Sequence, residues 1–164
     1  LDLGLETGNK ELMKKYAHKT GGIDQIKKIF DACKKVNIET LAFVLEGLPG
    51  ETLKAIKDTQ KLVVELKPTH LVVSTATPFP GTKLREIANK EKRIKNDLEG
   101  YKDYTTIDAT YVPQTLTKKV LERQILYTYL KVYLRPQKFF YELFNHPKWF
   151  LNNISNVIIQ MIKR

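Results

Sequence analysis

The chain has 164 residues, 42% of them hydrophobic, 10% aromatic and 28% charged, with a net charge of +10; this balance excludes a disordered or collagen-like segment and suits one unit with a core of its own. Its single cysteine, Cys33, excludes an internal disulfide, a four-thiolate zinc site and an iron–sulfur cluster held by this chain alone, and fits a reducing, cytoplasmic compartment. The opening LDLGLETG has neither an initiator Met nor the regions of a signal peptide, so a piece of a longer protein is expected.

In chain order, Leu1, Leu3 and Leu5 alternate with Asp2, Gly4 and Glu6, the period of a strand. Asn9 is placed to cap a short helix through Tyr16, and a second amphipathic helix over Ile23 to Val36 carries Ile26, Ile29, Phe30 and Cys33 on one stripe, with Cys33 read as a small core residue. Asn37 suits a left-handed helix end. Leu41 to Leu45 reads as a second strand, Gly47-Leu48-Pro49-Gly50 as a tight loop, and Glu51 to Leu66 as a helix stopped by Pro68. Leu71 to Val73 opens a third strand, followed by the loop Thr77 to Thr82 and a short helix over Lys83 to Ala88. Strands separated by helices imply parallel pairing with right-handed crossovers.

Residues 89–116 read as a connector with an extended segment over Tyr104 to Val112, and 117–164 as a mostly helical extension in which Pro136 ends or kinks the first helix. This extension holds nine basic and two acidic residues and, between Tyr127 and Phe150, nine of the sixteen aromatics. Leu126, Leu130 and Tyr133 are expected to pack inward, while Phe140, Phe144, Trp149 and Phe150 stay partly exposed beside Arg135, Lys138 and Lys148. That pattern suits a helix lying on an anionic membrane or on nucleic acid, and equally a solvated face over an aromatic core. The polar residues Asn152, Asn153, Ser155, Asn156 and Gln160 rule out a membrane span over Trp149 to Ile162.

In parallel α/β sheets ligands sit at the carboxyl ends of the strands, where loops and helix N-termini meet. Here those ends are Glu6-Thr7-Gly8, Glu46 to Thr52, and Thr75 to Thr82. They should lie together at one rim. Strand alternation would turn Glu46 away from Leu45 and toward the helices, unless the loop has already begun.

The run LGLETGN-x-ELMKK, the helix end KKVNI, then FVLEGLPGET and STATPFPGTKL together resemble the second half of the radical S-adenosylmethionine (radical SAM) barrel, over residues 1 to about 88. The later phrase YLRPQKFFYEL resembles the tail of its cobalamin-dependent, B12-binding branch. The resemblance implies an α/β fold in which three parallel strands with flanking helices form a partial TIM-type barrel fragment, followed by the helical extension. It implies an enzyme, in which this piece supplies part of the S-adenosylmethionine wall for reductive cleavage to a 5′-deoxyadenosyl radical or for radical-based methyl transfer.

By position, the resemblance places Glu6 and Thr7 against the cofactor's ribose or methionine part, a carboxylate being able to accept two hydroxyls. It places Leu45 and Gly47 against adenine, and the backbone of Thr75, Ala76, Thr77 and Pro78 at adenine's edge. It implies a 4Fe–4S cluster whose ligands lie outside this chain and cobalamin in the parent protein. No metal ligand and no catalytic residue are assigned within the chain, which should be inactive alone. The implied partner is the missing N-terminal half of the barrel, with peripheral contact at the inner membrane face through the tail. The competing reading is a non-catalytic α/β scaffold whose basic aromatic tail binds an anionic membrane or nucleic acid.

Overall fold

The computed structural model describes residues 1–17, 22–94, 109–148, 150 and 151. Strand β1 (Asp2–Glu6) leads into a three-residue helix α1 (Lys10–Leu12), continued by a π turn over Met13–Ala17. Then follow α2 (Gly22–Lys35), β2 (Leu41–Glu46), α3 (Leu53–Leu66), β3 (His70–Thr75), α4 (Lys83–Lys90), α5 (Lys118–Tyr133) and α6 (Pro136–Asn145). The three strands form one sheet in the order β1-β2-β3, both pairs parallel. The α/β class and the parallel sheet agree with the sequence; these three strands form an open sheet and do not themselves make a barrel.

Helix boundaries follow local chemistry. Thr52 and Thr117 sit in extended backbone and accept from Ala55 N–H and Val120 N–H, capping α3 and α5. Asn37 (φ 54°) takes the expected left-handed conformation, and Lys67 (φ 48°) does so one residue before Pro68. Helix α3 starts two residues later than its apolar spacing predicts, because Glu51 folds back onto the preceding loop instead of entering the helix. Pro136 does more than end α5: it occupies the first turn of α6, where its fixed φ is no obstacle and its missing N–H costs nothing.

The core lies on one side of the sheet. Leu5, Ala42, Val44, Leu71 and Val73 pack against Phe30 of α2, Leu62, Val63 and Leu66 of α3, and Val132 of α5. Cys33 is buried in α2, as its stripe implied. Helix α5 faces this core through Ile125, Tyr129, Tyr133 and Val132, with Leu121, Gln124 and Thr128 also buried. Tyr133 packs inward as expected, whereas the stripe passes through Ile125 and Tyr129 in place of Leu126 and Leu130.

In α6, Phe140 and Phe144 are exposed (56% and 77%), but Phe150, expected at the surface, is buried at 2% because it meets Phe139 edge-on at 5.1 Å. Two of the neighbouring cations turn inward, while Lys148 is exposed as expected. Arg135 donates to the carbonyls of Val132 and Val64, and Lys138 to the carbonyl of Thr69 and to Glu142 at 2.6 Å. Trp149 and most of the expected extended segment lie outside the described residues. Of that segment, Tyr111 forms an isolated antiparallel bridge with Ile94. No helix among the described residues is long and apolar enough to cross a membrane.

Candidate functional site

Parallel pairing brings the three strand ends to one rim: Glu6 is in register with Val44, and Glu46 with Thr75. The loops leaving those ends meet in a small apolar cluster of Leu12, Leu48, Ala55 and Ala76, with Tyr16 and Leu84 packed on it. The rim expected from sequence is thus assembled.

At the end of β1 the register slips between Gly4 and Glu6, and Glu6, still paired with Val44, takes left-handed backbone at φ 63°, a region a non-glycine residue enters only when its surroundings hold it there. Thr7 is the holding group. Its buried hydroxyl lies 3.2 Å from that of Thr59 in α3, and it accepts from Asn9 N–H. Since the Thr59 proton goes to the Ala55 carbonyl at 3.1 Å, Thr7 is the donor in the pair. Gly8 N–H donates to Thr59 at 2.8 Å, and a Cβ on Gly8 would come within 2.6 Å of the Thr59 Cα, so the loop lies directly on α3. The Glu6 side chain is half-buried.

At the end of β2 the alternation holds, and Glu46 points into the helical layer, fully buried. Its Oε1 lies 2.6 Å from Thr128 Oγ1, which also lies 3.0 Å from the Gln124 carbonyl. The Thr128 hydroxyl donates to this carboxyl and shares its proton with the Gln124 carbonyl. Burial raises this carboxyl to about 8, the charge of Glu51 adding to the effect while the Thr128 hydrogen bond and Lys131 oppose it. Beyond it, Lys131 donates to Gln60 and Gln60 donates to Gln124, tying α5 to α3.

Glu51, which sequence reading took as the start of a helix, is the organising residue of this loop. Its Oε2 accepts from Gly47 N–H at 2.5 Å and Leu48 N–H at 3.2 Å. Burial raises it to about 7, against those two bonds. Gly47 itself has φ 89° and approaches Leu121 closely, a Cβ there falling 2.9 Å from the Leu121 Cδ2. Tyr16 donates to the Pro49 carbonyl and Thr115 to that of Glu51. The GLPGET phrase is therefore a loop clamped from several sides. A Glu four residues after a glycine and just before a capping Thr was the available signal.

At the end of β3, Thr75, Ala76, Thr77 and Pro78 are all buried. Ala76 N–H donates to the Glu46 carbonyl, extending the pairing by one residue, and the Thr77 hydroxyl donates to the Thr75 carbonyl. Leu45 is half-buried and, by alternation, on the sheet face opposite Glu46. An open cleft of about 480 Å³ lies beside the rim, lined by Gly8, Asn9, Lys10, Glu11, Ile23, Thr52, Lys54, Ala55 and Asp58. None of the eight residues expected to hold a cofactor lines it.

A comparison with protein families matches none of them. The chain is 30% identical over 127 residues, 76% of its length, to a protein of Pyrococcus horikoshii described as the uncharacterized methyltransferase PH0819, and these residues span 26% of that protein. This finding corrects the radical SAM resemblance drawn from the sequence: the similarity is to a protein described as a methyltransferase, and it carries neither a radical mechanism nor the 4Fe–4S cluster or cobalamin expected with it. The short phrases shared with the radical family are strand-to-helix turns that Gly, Pro and capping Thr produce for folding reasons. Among the described residues, no group of three or more His, Cys, Asp and Glu is placed to hold a metal ion.

Proposed function

We propose that this chain is part of an S-adenosylmethionine-dependent methyltransferase and that its strand-end rim forms part of the cofactor's wall. The observation that carries the reading is the similarity over 127 residues to a protein described as a methyltransferase; the convergence of three loops at one rim agrees with it. The bound cofactor supplies an electrophilic methyl on sulfonium sulfur, which passes to a nucleophile while the C–S bond electrons return to sulfur.

In this reading the chain's residues bind and orient. Glu6, half-buried at the end of its strand beside the Thr7–Thr59–Gly8 contacts, offers a carboxylate that accepts hydroxyl or ammonium hydrogen bonds from the ribose or methionine part. Leu45 and Gly47 give an apolar, side-chain-poor surface for adenine. Thr75, Ala76, Thr77 and Pro78, buried through their side chains, present backbone at adenine's edge. In the larger protein these strands would be one stretch of a larger α/β sheet. Calorimetric titration of the full-length protein tests the proposal. Saturable binding of S-adenosylmethionine, competed by S-adenosylhomocysteine, is expected; a folded protein that binds neither contradicts it.

A further inference from the structure

The two outer edges of the sheet differ in kind. Alternate residues of a parallel strand direct both backbone groups to the same side. His70 N–H donates to the carbonyl of Thr40, just before β2, and Ala76 N–H to that of Glu46, so Leu71 and Val73 direct theirs outward. Helix α5 meets them there. The Tyr133 hydroxyl accepts from Leu71 N–H at 3.4 Å, and the Tyr129 hydroxyl accepts from Val73 N–H at 2.9 Å and reaches the Val73 carbonyl at 3.4 Å. An added strand would have to displace both tyrosines from β3. On the other side, Leu41 N–H donates to the Leu1 carbonyl, so Asp2 and Gly4 direct their groups away from β2. Among the described residues no partner meets them.

Among the described residues, no helix packs on the other face of the sheet. Leu41, Leu45 and Val72 are half-buried there and Phe43 is 37% exposed, opposite the face that α2, α3 and α5 cover. Parallel sheets are stable with both faces covered.

We propose that the sheet grows on the β1 side only: a further strand, from another stretch of the longer polypeptide that carries this chain, pairs with Asp2 and Gly4, and its continuation covers the Phe43 face, while Tyr129 and Tyr133 seal β3. The occupant follows from two facts. The related protein is about four times as long as the matched segment, since 127 residues are 26% of it. A second copy joined edge to edge would leave Phe43 uncovered in both copies. Amide hydrogen exchange on the full-length protein tests this. The Gly4 amide, numbered as here, should exchange about a hundredfold or more slower than in an unstructured peptide, at every protein concentration. Exchange at the peptide rate would overturn the proposal, and so would protection lost on dilution, which assigns the edge to a second copy. In the Tyr129→Phe, Tyr133→Phe double variant, Val73 and Leu71 should lose about tenfold or more of their protection while Gly4 keeps its own. Unchanged protection at Val73 would remove the seal.

Discussion

The end of β2 and the end of β1 are neighbours in one sheet, yet they are built for different work. At β2 the polar groups are turned inward: Glu46 lies against Thr128 of α5 and Glu51 against two loop amides, both fully buried. At β1 the buried threonine pair anchors the loop and leaves Glu6 half-buried beside an open cleft. The more conspicuous phrase in the sequence, EGLPGET, thus carries both its glutamates as folding devices, whereas in the plainer LETG the threonine is buried and the glutamate only half-buried.

The largest effect that would sharpen this contrast is at Glu51. Replacing it with Ala leaves the buried Gly47 and Leu48 amides without their acceptor, and should lower stability by about 2–5 kcal/mol, read by urea denaturation at pH 6. A loss below about 1 kcal/mol would show the β2 loop to be held by its other contacts.

Next in size is the pH response. Glu46 and Glu51 are raised to about 8 and about 7, mainly by burial. The unfolded chain releases those protons near the ordinary 4.5, whereas the folded chain keeps them longer. Their contribution is therefore fully present below about pH 4.5 and is lost as pH rises toward 8, because the folded state binds more protons across that window. Glu46→Gln keeps the shape and a hydrogen bond to Thr128 while removing the titration. It should gain on the order of a few kcal/mol over the natural chain at pH 8 and flatten the thermal-melting profile between pH 5 and 8. Parallel profiles for the two proteins would place the ionisation elsewhere.

The smallest effect belongs to β1. Glu6→Ala should change stability by no more than about 0.5–1 kcal/mol in the same urea assay, since the loop is anchored by Thr7, Gly8 and Thr59. A loss as large as that at Glu51 would erase the distinction between the two strand ends.

What the sequence made legible was whatever rests on short-range pattern. The apolar runs at Leu41 to Leu45 and Leu71 to Val73 gave the strands, their separation by amphipathic helices gave parallel pairing, and strand alternation alone turned Glu46 inward. What stayed hidden joins residues far apart in the chain: Glu46 with Thr128, Gln60 with Gln124, and Val73 with Tyr129. Nothing local marks a tyrosine hydroxyl as the partner of a strand edge. The inward turn of Arg135 and Lys138 was hidden for the same reason, since their partners Val64 and Thr69 lie on the other side of the sequence. Counting cations along the extension therefore misses that these two are drawn onto backbone carbonyls.

The central claim is that the β1 end meets the cofactor, and affinity for S-adenosylmethionine in the full-length protein tests it most directly. Calorimetric titration of the natural protein and of Glu6→Ala, at a pH where both melt at the same temperature, should give binding weaker in the variant by about 1.5–3 kcal/mol, the worth of a lost charge-assisted hydrogen bond. Equal affinity in two equally folded proteins would contradict the account and return Glu6 to a purely structural place at the end of its strand.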